Sequence, residues 1–163
     1  RAVVAGIARR CMFGVPQVIA CSPLRDGKPF PTTFWLTCPH LVRLCGVLES
    51  EGAVTELERT RLEQPVPWTE YNLFHARLRL LMVRPASARF LRKHRGGVWS
   101  TLSRGGTGGI DYLSPSGGGV KCLHLQAASW LALGFHPAGE YLRKALDPLY
   151  CPAPEVSVCV RRC

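Results

Sequence analysis

Three glycines run directly into a short segment that carries a thiol, an imidazole and an ammonium group. The segment is GGGVKCLH, residues 117–124, and the side chains of interest are Lys121, Cys122 and His124. Glycine permits backbone angles that bring the chain close to a ligand, and cysteine and histidine are common metal ligands. The pattern therefore indicates either a functional site or a tight turn that leads into a core helix.

The chain has eight cysteines, and their spacing excludes the common local metal motifs. They occupy positions 11, 21, 38, 45, 122, 151, 159 and 163. No CxxC pair is present, so zinc ribbons, thioredoxin-like redox pairs and ferredoxin-type runs are excluded. A metal site would have to be nonlocal, with ligands from distant segments. The alternative for each cysteine is an inert buried thiol, because free cysteine is among the most buried residue types.

The pattern of apolar residues predicts an α+β fold that would position these side chains. Residues 16–24 and 32–38 are rich in β-branched and aromatic residues, and the Asp26-Gly27 turn between them predicts a hairpin. The alternating valines of residues 155–163 predict a third strand. We therefore expect a small antiparallel sheet, made of the hairpin and this C-terminal strand, that packs against several helices.

Helices are predicted from apolar residues at helical spacing, with proline or glycine at the ends. The expected helices cover residues 39–52, 54–64, 68–83, 122–134 and 137–146. Residues 96–119 hold nine glycines and are predicted to be a loop. Cys38 and Cys122 fall at helix starts, where we expect the unpaired backbone N–H groups to lower the pKa of a thiol.

Length and hydropathy bound the class of protein. The chain has 163 residues, the size of one domain, and we expect residues 1–163 to form a single domain. No apolar run is long enough to cross a membrane. The N-terminal apolar stretch is too short for a signal peptide, and because the sequence begins with Arg1 we expect that some preceding chain has been removed.

The charge balance favours polyanionic partners. The formal net charge is +10, and a cluster of basic residues occupies positions 84–95. Such an excess favours nucleic acid or phosphorylated small molecules. The alternative is a solvated basic face that keeps the protein in solution.

Three motifs fall in order along the chain and can be compared with known families. They are RCMFGVPQVI, LRDGKPFPTTFWLTCP, and GVKCLH followed by an apolar helix and a PAG turn, and they span about residues 10–146. Together they resemble the bacterial family DUF501. The resemblance implies a bacterial, cytoplasmic protein, draws attention to Cys11, Cys38 and Cys122, and implies little about activity. Family members often read KCLHxH, whereas this chain has Gln126 in place of the second histidine.

We predict that Cys11, Cys38 and Cys122 converge on one metal site. Cys11 and Cys38 are expected at one edge of the hairpin, and Cys122 lies at a helix start that could face them. Three thiolates leave one coordination position open, as in a [4Fe–4S] cluster with one open iron or in a catalytic zinc site. Soft thiolates select these metals, so an iron–sulfur cluster is the first expectation and zinc the alternative.

Three other side chains are candidates for a fourth ligand. They are Cys159, Cys163 and His124. The cysteines would contribute if the C-terminal strand returns beside the hairpin. His124 is the weaker candidate, because residues two apart on a regular helix project about 200° apart and would not face the same ion as Cys122.

An anion site is predicted beside the cysteines. Its candidate residues are Gly117, Gly118, Gly119, Lys121 and Arg104. Backbone N–H groups at a helix start, together with two cationic side chains, would hold a small anionic or sulfur-containing ligand. The sequence thus predicts a metal-dependent or cluster-dependent protein that binds or acts on such a ligand. The alternative is a basic module that binds RNA or a protein partner, in which the cysteines are structural and no metal is bound.

Overall fold

A computed structural model describes residues 3–114 and 118–152, and these form an α+β fold. The strands are β1 (Val4–Arg10), β2 (Pro16–Cys21), β3 (Leu24–Arg25), β4 (Lys28–Pro29) and β5 (Phe34–Leu36). The α-helices are α1 (Pro39–Ser50), α2 (Ala53–Glu63), α3 (Pro65–Leu81), α4 (Pro85–His94), α5 (Gly96–Arg104), α6 (Leu123–Leu133) and α7 (Gly139–Ala145). No helix in the described part of the chain is both long and apolar enough to cross a membrane.

The predicted hairpin is confirmed, and its first strand, β2, is the central strand of the sheet. Strands β2 and β5 pair antiparallel, with Val18 opposite Leu36, and the sheet order is β1-β2-β5. The loop between them carries the short β3–β4 ribbon, whose turn residues Asp26 and Gly27 both have positive φ. The third strand is β1, at the N-terminal side of the hairpin, which the sequence did not predict. The predicted C-terminal strand over 155–163 lies outside the described residues.

Two segments that were expected to lie outside helices, residues 65–67 and 96–104, are parts of helices. Pro65 begins α3, because a proline in the first helical turn loses no hydrogen bond. Residues 96–104 form α5 rather than a loop. Its Leu102 is fully buried and packs in a small cluster with Val83 and Leu91, so tertiary packing outweighs the low helix propensity of the glycines at its start.

The main core lies between the sheet and helices α1 and α6. Leu41 of α1, Leu57 of α2 and Leu123 of α6 are completely buried. Seven of the eleven residues of α6 are buried, which makes it the central helix of the fold. Its first turn lies against α1, so the packing of these two helices places the thiol and imidazole of the opening motif next to the end of α1.

The glycine-rich segment after α5 is held by a buried arginine. Arg79 of α3 is 1% exposed. Its guanidinium donates hydrogen bonds to the carbonyl oxygens of Pro31 (3.0 Å), Leu102 (3.1 Å), Gly105 and Gly106 (2.6 Å). Because a guanidinium has five donors in a fixed plane, it fixes the path of the segment without any carboxylate partner in these bonds.

The backbone of Gly106 lies so close to the side chain of Asn72 that no larger residue fits there. The side chain of Asn72 is held at both ends, because Oδ1 accepts from the backbone N–H of Thr107 (2.9 Å) and Nδ2 donates to Trp68 (3.0 Å). A Cβ atom at Gly106 would lie 2.7 Å from two carbon atoms of Asn72. Asn72 cannot move away without losing these bonds, so only glycine fits at position 106.

We expect Gly106→Ala to lower the free energy of unfolding by about 1–3 kcal/mol, the usual cost of overpacking. Gly46→Ala is the matched control, because Gly46 lies in the middle of α1 and a Cβ there would meet no atom within 4 Å. The control should raise stability by up to about 1 kcal/mol, since alanine favours the helix. Urea denaturation measures both, and a neutral Gly106→Ala would contradict the tight approach.

Candidate metal centre

Three potential metal ligands meet where the end of α1 lies against the start of α6. Glu49 is in the last turn of α1, Cys122 immediately precedes α6, and His124 is in its first turn. One ligand atom from each lies within 4.8 Å of the other two. All three side chains are partly exposed. This is the one such group of histidine, cysteine and acidic residues within 3–114 and 118–152.

Cys122 and His124 face the same point because the helix begins only after the cysteine. Cys122 has extended backbone angles, φ −163° and ψ 158°, and α6 starts at Leu123. The expectation that the two side chains project about 200° apart assumed that both are helical, and it is wrong here. An extended residue before the first turn can turn its side chain toward that of the second helical residue.

Glu49 binds the start of α6. Its Oε1 accepts hydrogen bonds from the backbone N–H groups of Leu123 (2.6 Å) and His124 (3.3 Å). It also lies 2.9 Å from Nδ1 of the His124 ring. Burial alone would raise the pKa of Glu49, but the bonds from His124 and Leu123 outweigh burial and lower it. The carboxylate is therefore held in its charged form at the positive end of α6.

The hydrogen bond of Nε2 of His124 determines whether Nδ1 of the same ring carries a hydrogen or a lone pair. Nε2 lies 3.0 Å from the carbonyl oxygen of Val42, and only a nitrogen that carries hydrogen can bond to a carbonyl. With the hydrogen of a neutral ring on Nε2, the lone pair of Nδ1 faces the carboxylate of Glu49. Nδ1 without a hydrogen and Oε1 of Glu49 are both acceptors, and they lie 2.9 Å apart. Such a contact requires either a second proton on the ring or a cation between the two atoms.

The thiol of Cys122 is not activated by the helix start alone. Burial raises the pKa of Cys122, and the charge of Glu49 raises it further, while backbone N–H groups and Lys121 lower it less. Burial likewise raises the pKa of Cys38. The expectation that helix starts lower the pKa of these thiols is therefore wrong, because desolvation of the thiolate exceeds the effect of the N–H groups. A bound cation would reverse this balance at Cys122.

An apolar pocket opens beside the three ligands. Its volume is about 380 Å³, which suits a small molecule. Its lining includes Phe34, Trp35, Leu36, Leu125, Cys122 and His124. Two of the potential ligands thus form part of the wall, so a molecule in the pocket would reach any ion that they hold.

A known protein family matches most of the chain. The family described as "Protein of unknown function (DUF501)" matches residues 7–144. The chain belongs to the DUF501 family. The matched residues nearly coincide with the range of about 10–146 that the three sequence motifs span. Neither the curated proteins nor the solved structures contain a match to the chain.

The cysteines predicted to form one site lie in two places in this DUF501 chain. Cys11 and Cys38 line a small cavity together with Cys151. Cys122 lines the larger pocket described above. The predicted convergence of Cys11, Cys38 and Cys122 is therefore wrong, because the two helix starts that carry Cys38 and Cys122 face different parts of the fold. Of the fourth-ligand candidates, His124 lies beside Cys122, whereas Cys159 and Cys163 lie outside the described residues.

The backbone donors of the predicted anion site bond to the protein itself. Gly117 lies outside the described residues. The N–H of Gly118 donates to Oγ of Ser114 (3.1 Å). After Gly119, the N–H of Val120 donates to the carboxylate of Glu58. A protein carboxylate therefore occupies part of the position expected for a bound anion.

The two cations of the predicted anion site also have protein partners. Lys121 donates to the carbonyl oxygen of Gly108 (3.1 Å) and lines the apolar pocket. Arg104 pairs with Asp111 at 3.1 Å, and both side chains are about half exposed. Anion binding by these residues stays a prediction. So does nucleic-acid binding by the basic residues of positions 84–95, which lie exposed on and around α4.

Glu49 is the one of the three potential ligands that the sequence analysis missed. It lies in the last turn of α1, where the negative end of the helix macrodipole disfavours a carboxylate. Its position was the one feature of the sequence that could have drawn attention to it. The partner could not be identified from sequence, because Leu123 and His124 are 74 and 75 residues away.

Proposed function

We propose that this DUF501 chain binds a zinc ion through Glu49, Cys122 and His124 and presents it to a small ligand in the adjacent pocket. The observation that supports this most strongly is the arrangement of the His124 ring. Nε2 is anchored to a backbone carbonyl, and Nδ1 points at a carboxylate beside a thiol. Metal-binding histidines commonly have this arrangement, in which the non-ligating nitrogen donates to a carbonyl or carboxylate.

The donor atoms favour zinc over the iron–sulfur cluster that the sequence first suggested. The group offers one sulfur, one nitrogen and one oxygen, whereas iron–sulfur clusters are held mainly by thiolates. Zinc accepts all three donor types, and the thiolate disfavours magnesium and calcium. A mixed set of this kind therefore supports a single zinc ion.

Three protein ligands leave the fourth zinc position open. Catalytic zinc sites have this composition, whereas structural sites use four protein ligands. The pocket walls at Phe34, Trp35 and Leu125 would hold the apolar body of a ligand, and Lys121 lies among the lining residues. We infer a substrate with an apolar portion and an anionic or sulfur-containing head group. Bound zinc would polarise that head group as a Lewis acid.

Removal of single ligands tests the proposal. We expect Cys122→Ser and His124→Ala each to bind one zinc ion fewer than the wild type, with the affinity of this site reduced by more than about 100-fold. Both changes lie at partly exposed side chains, so the chain should stay folded. Native mass spectrometry of the stripped and reloaded full chain gives the stoichiometry, and competition with a chelating dye gives the affinity.

Two substitutions serve as matched controls. Cys21→Ser removes a buried thiol of β2, and His94→Ala removes an exposed imidazole at the end of α4. Both controls should bind as many zinc ions as the wild type. If Cys122→Ser and His124→Ala also keep the full zinc content and affinity, the three residues form a hydrogen-bonded helix contact and the proposed function is wrong.

A further inference from the structure

Three cysteines from distant segments line one small cavity on the opposite end of α1 from Glu49. Cys11 follows β1, Cys38 immediately precedes α1, and Cys151 follows α7. None of the roles assigned above uses this cluster. Thiols that are 113 residues apart in sequence, as Cys38 and Cys151 are, meet only because the fold brings their segments together.

The segment that carries Cys11 forms a tight turn that fixes the cysteine. The N–H of Cys11 donates to the carbonyl of Val15 (2.9 Å), and the N–H of Gly14 donates to the carbonyl of Cys11 (3.0 Å). Gly14 has φ +78°, an angle that favours glycine. The Cys-x-x-Gly sequence thus closes a turn around the cysteine and presents its side chain at one end of the sheet.

The thiol of Cys38 lies at the start of α1. The backbone N–H groups of His40 and Leu41, which have no partner within the helix, lie near its sulfur and lower the pKa of the thiol in part, although Cys38 makes no side-chain cap hydrogen bond. Burial raises the pKa of this thiol, and the neighbouring Cys151 and Cys11 raise it further. The N–H groups are suited to a thiolate, but the site lacks the positive charge that would make one favourable.

The segment that carries Cys151 is fastened to the same end of the fold. Nε2 of Gln17 donates to the carbonyl of Leu149 (2.6 Å), and Gln17 is only 2% exposed. Nε2 of His40 lies 3.0 Å from the carbonyl of Pro148. Two side chains adjacent to Cys38 therefore hold the chain after α7 in place, and Cys151 reaches the cavity as a result.

We infer that Cys11, Cys38 and Cys151 form a second zinc site, held by three thiolates, that ties the chain after α7 to the sheet and to α1. Three thiolates are soft ligands that select zinc or an iron–sulfur cluster. The size of the cavity decides between them. It has room for about one water-sized sphere, about 10 Å³, which accommodates a single ion and not a cluster of four irons and four sulfides.

Ion binding requires the three thiols to come closer together. The three sulfur atoms are not all within 4.8 Å of one another. Around one zinc ion, with zinc–sulfur bonds of about 2.3 Å, sulfurs lie about 3.8 Å apart. Cys11 and Cys151 are partly exposed and lie outside helices, so rotation of their side chains, with the backbone held, can bring their sulfurs toward that of Cys38. The thiols bind as thiolates, their protons pass to solvent, and water fills the fourth position.

The stoichiometry of zinc binding by the full chain tests this site separately from the proposed function. Reduced, metal-free wild type should take up two zinc ions, and Cys151→Ser and Cys122→Ser should each take up one. Cys21→Ser should take up two. Cys151→Ser is the preferred variant, because the substitution follows α7 and leaves the core intact. Zinc should also raise the melting temperature of Cys122→Ser more than that of Cys151→Ser, since an ion bound by the three cysteines joins segments that are distant in sequence and binds only the folded chain.

Each outcome separates the two sites. If the wild type binds one ion that is lost in Cys151→Ser and kept in Cys122→Ser, the thiol site stands and the Glu49 site does not. If the one ion is lost only in Cys122→Ser, the inference drawn here is overturned. It is also overturned if Cys11→Ser and Cys151→Ser both keep the full zinc content. A disulfide between Cys38 and either partner, with no zinc uptake at this site after reduction, would overturn it too.

Discussion

Arg79→Met should lower the free energy of unfolding by about 3–5 kcal/mol. The guanidinium of Arg79 is almost completely buried and satisfies four carbonyl groups, those of Pro31, Leu102, Gly105 and Gly106. Methionine has a similar length but no donors, so these buried acceptors would lose their partners. A buried acceptor left without its partner typically costs about 1–3 kcal/mol, and several are left at once here. Urea denaturation monitored by circular dichroism measures the loss.

Arg77→Met is the matched control, because Arg77 lies on the same helix with its side chain exposed. Its effect should be within about 0.5 kcal/mol. Arg79→Lys should recover only part of the loss, since one ammonium cannot reach carbonyls that lie around a planar fork. Burial lowers the pKa of Arg79 to about 10, so the residue is still charged at neutral pH. An effect of Arg79→Met below about 1 kcal/mol would contradict this account.

Acid should destabilise the fold through two buried histidines. Burial lowers the pKa of His75 to about 3, with a contribution from the charge of Arg79, and burial with a contribution from His75 lowers that of His136 to about 3. In the unfolded chain both have the ordinary value of 6.5. Between these values the unfolded state binds protons that the folded state does not, so stability falls as pH decreases from 6.5 toward 3.

The hydrogen bonds of His136 explain why its ring stays neutral. The backbone N–H of Ala138 donates to Nδ1 (2.9 Å), so the hydrogen of the ring is on Nε2 and bonds to Oε1 of Gln126 (2.9 Å). A second proton on Nδ1 would break the first bond. In this chain Gln126 thus has a structural role, as the buried acceptor for His136.

The expected size of the acid effect is about 1.4 kcal/mol per pH unit for each histidine, or about 7 kcal/mol for both by pH 4. That is comparable to the whole stability of a domain. His136→Gln should make the plot of unfolding free energy against pH shallower by about half between pH 6 and pH 4. His94→Gln, at an exposed position, should leave the slope unchanged. A His136→Gln slope equal to that of the wild type would contradict the neutral, buried state.

Local sequence patterns were sufficient to predict most of the fold. The β2–β5 hairpin follows from β-branched residues on both sides of the Asp26-Gly27 turn, and α1 follows from Pro39 and apolar residues at helical spacing. The failures have physical causes. Among the strands of the described residues β1 lies at the edge of the sheet, and most of its residues are exposed, so it lacks the alternation that marks a half-buried strand. α5 begins with two glycines and is stabilised by packing of Leu102, which propensity does not include.

The sequence was sufficient to predict only those candidate ligands that lie close to one another along the chain. Cys122 and His124 are two residues apart, so the motif itself indicated chemistry. Glu49 and Cys151 entered their clusters through tertiary contacts, and no periodicity in one sequence reports which helix end lies against which. The incorrect pairing of Cys38 with Cys122 arose in the same way. Both precede helices, as expected, but the helices start at different places in the fold.

An anomalous difference map at the zinc absorption edge, from crystals of the full chain grown with zinc, tests the central claim most directly. The account predicts a peak about 2.0–2.3 Å from Sγ of Cys122, Nδ1 of His124 and a carboxylate oxygen of Glu49. Nε2 of His124 should keep its bond to the carbonyl of Val42. No peak at this position, with Nδ1 of His124 bonded directly to Glu49 as a second ring N–H donor, would contradict the zinc site and the function proposed from it.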